Sequence, residues 1–244
     1  MINRLLDTDK TRRSFNFEWD FYAHTENQKA YYDKEVFEFL KEEKSYFKDK
    51  LVLEMGCGAG RQTRALVDFC KNLVALDVSD NLANLPKKNN LNPVQGDIMN
   101  LPLKDGRFDF IYSRGVFHHT RDPKYAFDSA VRLLKKGGVL IFSVYPKRNM
   151  LFHYANSMMR FITIRLDHKF LFFLCRAAAP LVPLAYKIMN PRKKRPLEYW
   201  ENVWLLFDWF SPQYQFHLSE KELDKWCEKH TVLIKNRGYR KLLK

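Results

Sequence analysis

The run Leu51–Gly60 reads LVLEMGCGAG: an apolar stretch holding one carboxylate, Glu54, then glycines at alternate positions 56, 58 and 60. A strand that ends in alternating glycines usually means a bound cofactor, because glycine lets the chain turn sharply and lets a ligand touch the main chain. The spacing is not the G-x-G-x-x-G of dinucleotide binding, since Arg61 stands where the last glycine would be. Nor does GRQT end in the Gly-Lys-Ser/Thr of a phosphate-binding loop. Further along, Asp77 lies 21 residues after Gly56, and Asp97 sits in QGDIMN. Three histidines, the adjacent His118 and His119 and the distant His217, carry a group whose ordinary pKa suits proton transfer near neutrality. The histidine pair has no spaced carboxylate partner, so no metal site is expected. Cys57, Cys70, Cys175 and Cys227 show no CxxC spacing, and Cys57 reads as a small packing residue rather than a nucleophile.

These residues need a scaffold that brings them to one edge. From 34 to 145 short β-rich runs (LVLEM, NLVALD, NPVQGD, FDFIYS, GVLIFSVY) alternate with stretches of helical spacing. That pattern predicts an α/β fold, a doubly wound, mainly parallel sheet with helices on both faces. DPKYAFDSAVRLLKKGG reads as a helix opened by Asp122 and Pro123 and closed by the paired glycines. Ser219 and Glu222 form a capping-box start for a late helix, and the last residues suffice for one strand and a second short one.

In order and spacing the chain resembles the class I S-adenosylmethionine-dependent methyltransferases, in particular the small-molecule, type 11-like group with a Rossmann-like fold. GCGAG after Glu54 resembles the loop that meets the methionine end of the cofactor, and ALDVSD resembles the strand end whose acid, Asp77, grips the ribose hydroxyls. QGDIMNLP resembles the adenine-binding turn, with Asp97 toward the exocyclic amine and Ile98 against the ring. FDFIYSRGVFHH resembles the fourth strand and the loop beside the reactive methyl. The resemblance implies S-adenosylmethionine as cofactor, S-adenosylhomocysteine as product, and cofactor contacts from Glu54, Gly56, Cys57, Gly58, Gly60, Asp77, Val78, Asp97, Ile98, Arg114 and Gly115. For a hydroxyl acceptor, His118, His119 and His217 are the candidate general bases, while the resemblance also suits a histidine pair that shapes the cofactor pocket without moving protons. The tail after Thr231 is shorter than such a fold's two closing strands usually require, which leaves the last strand truncated or borrowed.

The organisation expected is an aromatic arm over 1–33, a cofactor-binding core over 34–145, a basic helical insertion over 146–218 after the fifth strand, and a closing helix and strand over 219–244. The arm's Phe15, Phe17, Trp19, Phe21 and Tyr22 alternate as in a strand, which suits either a lid over the cofactor or a core-packing arm. Of the formal charge of +14, ten units fall between Pro146 and Leu197, where eleven Lys or Arg face the single acid Asp167. FLFFLCRAAAPLVPLAYKIM is interrupted by Arg176, Lys187 and two prolines, too short an uncharged core to cross a bilayer of about 30 Å. An apolar segment ringed with cations suits an anionic membrane surface, a lid over a greasy acceptor, a basic RNA-contacting cap, or a pocket wall with NPRKKRP as a solvated loop.

The favoured function is O-methylation of a small-molecule, sugar or lipid-linked acceptor, with a cytoplasmic location and peripheral contact with anionic membrane. RNA methylation is less favoured, because SRGV replaces any N-P-P-Y motif after the fourth strand and the basic segment is aliphatic. A non-catalytic cofactor-binding protein is the third reading.

Overall fold

The computed structural model describes residues 2–22, 36–40, 42–147, 150–184, 198–236 and 238–244. The chain divides into two compact units, one of residues 1–147 with 214–244, the other of residues 148–213.

The first unit is built on a seven-stranded sheet: β1 (Leu51–Met55), β2 (Asn72–Asp77), β3 (Leu91–Gln95), β4 (Phe108–Arg114), β5 (Leu134–Ser143), β6 (Thr231–Asn236) and β7 (Tyr239–Leu243), in the order β3-β2-β1-β4-β5-β7-β6. The first five strands pair in parallel, and β7 runs antiparallel between β5 and β6. This is the doubly wound, mainly parallel architecture expected. β1 reads as a nearly continuous apolar run because both sheet faces are covered. On one face pack the helices α3 (Pro123–Leu133) and α7 (Glu220–Cys227), through Phe127, Ala130 and Leu223. On the other lie Val36, Leu40, Phe47 and the short α2 (Thr63–Leu66). Strand order reverses between β1 and β4, so the loops after these strands open onto the crevice where such sheets take ligands.

Three segments depart from expectation. The aromatic arm is a helix, α1 (Ile2–Tyr22), not a strand-like stretch. The alternation that suggested a strand also contains the helical i, i+4 pair Phe15 and Trp19, and the buried Ser14 and Glu18 show the same spacing. Next, α3 stops at Leu133 and its expected glycine end belongs to β5: Leu134 pairs with Phe108, the register then shifts, and Val139 pairs with Phe110. Gly137, at φ +76°, lets the strand bulge there, and its N–H donates to the Lys244 carbonyl. Finally, the tail holds two complete strands, because β6 and β7 form a tight hairpin. The capping box at Ser219 forms as expected, the Glu222 carboxylate accepting from the Ser219 N–H at 2.7 Å.

The second unit holds α4 (Met150–Thr163), α5 (His168–Ala178), a 3-10 turn (Ala179–Leu181) and α6 (Tyr199–Phe210). The NPRKKRP run lies outside the described residues, as does the end of the preceding apolar segment. Among the described residues no helix is long and apolar enough to cross a membrane.

Candidate functional site

The loop after β1 is pinned at its start by the N–H groups of Gly56 and Cys57, both donating to the Leu76 carbonyl at the end of β2 (2.7 and 3.1 Å). Gly56 and Gly58 hold positive φ, +80° and +52°, which L side chains rarely adopt. A Cβ at Gly58 would come within 2.5 Å of the Trp19 indole, and one at Gly56 within 2.3 Å of Val116. The close approach that forbids side chains at these two positions is therefore made by the protein's own Trp19 and Val116. Cys57 is a buried packing residue, with burial pushing its thiol well above the ordinary range.

α1 is fastened over this loop. The Asn16 amide donates to Asp80 Oδ2 at 2.6 Å, and its carbonyl accepts from the Asp80 N–H at 2.9 Å. A Gly58→Ala substitution is expected to cost about 1–2 kcal/mol from backbone strain alone, and more from the indole. In a denaturant-unfolding cycle, Trp19→Ala should recover the steric part and leave the strain. Strict additivity of the two would mean that Trp19 does not pack on Gly58.

Two carboxylates organise the end of the sheet. Asp77, buried, accepts from the Gly58 N–H through Oδ2 (2.7 Å) and from the Ser79 N–H through Oδ1 (2.8 Å). A carboxylate has about four lone-pair sites, so each oxygen retains one acceptor site. Glu54, 1% exposed, accepts from the Thr63 hydroxyl at 2.7 Å through Oε2, while its buried Oε1 accepts no hydrogen bond. Burial, against the Thr63 hydrogen bond and with the added charge of Asp77, pushes its carboxyl up to about 8.

Asp97 is half-buried and closes a turn, its Oδ1 accepting from the Met99 N–H at 2.8 Å, and Ile98 beside it is buried with Met55 and Leu76. Val78 follows Asp77 and is half-buried. The Arg114 guanidinium lies 5.2 Å over the Phe39 ring. Gly115, exposed at φ +74°, has open space where its Cβ would be.

The three histidines meet around one tyrosine. His118 stacks on Tyr145 with centroids 3.9 Å apart and lies 4.2 Å from His119, while His217 reaches the same Tyr145 ring at 5.7 Å. The Phe216 N–H donates to the His118 carbonyl at 2.9 Å, drawing the His217 segment to the loop after β4. His118 is fully buried with neither ring nitrogen hydrogen-bonded. Burial, helped by His119 and His217, holds it well below the ordinary range, so it stays neutral. His119 differs: its Nδ1 lies 2.8 Å from the Tyr214 carbonyl. A carbonyl only accepts, so Nδ1 carries the proton and Nε2 keeps a lone pair. Phe15 of α1 sits edge-on to the His119 ring at 5.6 Å. Among the described residues no group of His, Cys, Asp and Glu is arranged to hold a metal ion.

The structure thus gathers the three histidines into one cluster, and puts Glu54 and Asp77 beside the glycine loop. Sequence reasoning missed Thr63, Asn16, Val116 and Tyr145. Thr63 and Val116 lay close to motifs in plain sight, whereas Asn16 and Tyr145 carried no local signal and join the site only through the fold.

Residues 53–142 match the family described as "Methyltransferase domain". The chain is 35% identical over 103 residues to the sterol 24-C-methyltransferase erg6 of Schizosaccharomyces pombe, a match covering 38% of this chain and 27% of that one. It is 32% identical over 108 residues to the ubiquinone biosynthesis O-methyltransferase of Coxiella burnetii, covering 42% of this chain and 46% of that one. The matches therefore span less than half the length of these relatives. In fold, the chain is similar to the 1,6-didemethyltoxoflavin-N1-methyltransferase of Burkholderia thailandensis, with a TM-score of 0.56 at 14% identity over 97% of this chain and 88% of that one.

Proposed function

We propose, from the premise that residues 53–142 are a class I S-adenosylmethionine-dependent methyltransferase domain, that this protein methylates a hydroxyl of a small-molecule, sugar or lipid-linked acceptor. The observation that carries the choice of a hydroxyl is His119, whose Nδ1–H is committed to the Tyr214 carbonyl and whose Nε2 is thereby kept as a base.

The residues present fit the cofactor. The orphaned Oε1 of Glu54 is a buried acceptor suited to the cofactor's ammonium, and the remaining acceptor sites of Asp77 suit a pair of ribose hydroxyls. Asp97 and Ile98 would take the adenine edge and face, with Gly56–Gly60 supplying main chain. When bound, S-adenosylmethionine supplies a methyl group already activated by its sulfonium.

The protein's own part is alignment, exclusion of water and one proton transfer. His119 Nε2 takes the acceptor's hydroxyl proton as the oxygen becomes a nucleophile, and the Tyr214 carbonyl stabilises the imidazolium through the Nδ1–H bond. His118, neutral and stacked on Tyr145, holds the cluster's shape rather than exchanging protons. α1, through Phe15 and Trp19, covers both the histidine and the glycine loop and keeps the site dry.

His119→Gln is expected to lower kcat by about a hundredfold, within the usual range for general-base catalysis, with cofactor affinity nearly unchanged. The assay is S-adenosylhomocysteine release with a panel of hydroxylated acceptors. An unchanged kcat would remove the base assignment, and turnover only with amines would remove the hydroxyl acceptor.

Glu54 makes cofactor binding proton-linked. In the free protein its carboxyl, at about 8, is protonated at neutral pH, and a bound ammonium favours the ionised form. Binding near pH 7 should release up to about one proton, and affinity should rise between pH 6 and 7.5. Calorimetry in buffers of different ionisation enthalpy measures this release, and Glu54→Gln should abolish it.

A further inference from the structure

α4 is amphipathic in the reverse of the usual sense. Its inward stripe is polar: Asn156, Arg160 and Thr163 are buried. Arg160 donates to the carbonyls of Trp209 (2.7 Å) and Pro212 (2.6 Å), Thr163 donates to that of Phe210 (3.0 Å), and Asn156 accepts from the Trp209 indole (2.7 Å). Those carbonyls lie at and beyond the C-terminus of α6, where the helix leaves acceptors unpaired and its dipole favours a cation. Satisfying them requires the polar stripe of α4 to face inward, which turns its apolar stripe outward.

That stripe comprises Met150, Leu151, Tyr154, Met158, Phe161 and Ile162, which at helical spacing fall within an arc of about 120°. Each is at least 60% exposed. α5 adds to the exposed apolar surface: Leu171, Phe172 and Cys175 are buried, with Phe172 against Trp204 and Phe207, while Phe170 and Phe173 are 52% and 62% exposed. Exposed cations accompany them. The Arg165 guanidinium stacks 3.9 Å over Phe161, Lys169 is exposed, and Arg176 lies 5.5 Å from the Trp200 ring. Asp167, the sole acid between Pro146 and Leu197, is occupied as the N-cap of α5.

We propose that the outward faces of α4 and α5 dock on an anionic lipid surface, lying in its plane with the apolar side chains in the interface and the cations among the headgroup phosphates. Charge complementarity selects this occupant. A second copy of the chain would set cations against cations, and a nucleic acid would meet the cations but leave the Met, Leu and Ile side chains without a partner. The docking is independent of whether methyl transfer is the activity.

The test is co-sedimentation of the full chain with vesicles of phosphatidylcholine alone and of phosphatidylcholine mixed with phosphatidylglycerol, at low and high salt. Binding to the anionic vesicles only, weakened at least about tenfold by high salt, is expected. Met158→Ser with Ile162→Ser, and separately Lys169→Glu with Arg176→Glu, should each weaken it at least about tenfold while circular dichroism and cofactor binding stay unchanged. Equal binding to neutral vesicles, no binding, insensitivity to both variant pairs, or displacement of the vesicles by single-stranded RNA would each overturn the proposal. So would a dimer in solution that the Met158→Ser, Ile162→Ser pair dissolves.

Discussion

Replacing Asp77 with alanine should weaken S-adenosylmethionine binding by at least about a hundredfold. Two hydrogen bonds to a carboxylate are worth about 1.5 kcal/mol or more each, and their joint loss corresponds to that factor. The same carboxylate clasps the N–H groups of Gly58 and Ser79, so the variant also loosens the glycine loop. Asp77→Asn, which keeps one acceptor oxygen but turns an NH2 toward one of those donors, should fall between wild type and alanine. Calorimetric titration of each folded variant separates two roles. If Asp77 were only a clasp, the alanine variant would lose stability yet bind the cofactor normally once folded.

The second large effect is on stability and concerns Arg240 of β7. Its side chain is 0% exposed, and Nη2 donates to Glu220 at 2.8 Å and to Asp224 at 2.9 Å, both on α7. This cation ties the closing hairpin to the helix packed beneath it. Removing both negative charges, as in Glu220→Gln with Asp224→Asn, leaves the buried guanidinium without its two carboxylates and should cost about 3 kcal/mol, toward the low end for buried pairs because those carboxylates are 43% and 44% exposed. Arg240→Met, which removes the charge and keeps most of the volume, should cost much less. Urea unfolding of both variants checks the asymmetry, and a cheaper loss from the carboxylates than from the arginine would contradict it.

Acid should act at the same place. Partial burial raises Glu220, but hydrogen bonds from Arg240 and Gly238 outweigh this and hold it below the ordinary range. Asp224 is lowered first by its hydrogen bond to Lys235 and, against some desolvation, by that to Arg240. Folded-state values below the unfolded ones mean that the contribution is present above pH about 4.5 and is lost as pH falls through the folded values.

What the sequence made legible follows from range. The glycine loop, Asp77 and the apolar strands are local patterns, and the parallel sheet they imply is the sheet observed. The helix α1 was misread because alternation and an i, i+4 pair coexist in one aromatic run, and its long-range contacts to Gly58, Asp80 and His119 decide between them. β5 was placed too late because Lys135–Gly138 looks like a helix end, whereas pairing with β4 and with Lys244 makes it a bulged strand. The histidines were legible as candidates but not as one cluster, because Tyr145 joins them across nearly a hundred residues of chain and carries no motif of its own. Most opaque was α4: nothing local in Met150–Thr163 says which of its two stripes faces inward, and the carbonyls that Arg160 and Thr163 satisfy decide it.

Titration of the wild-type protein with S-adenosylmethionine by calorimetry, in two buffers of different ionisation enthalpy near pH 7, measures cofactor binding and its linked proton together. Saturable binding at one site per chain with release of up to about one proton is expected, both diminished by Asp77→Ala, whereas Glu54→Gln should abolish the release and also weaken binding at pH 7.5. Absence of binding, or binding that Asp77→Ala leaves intact, would contradict the cofactor assignment.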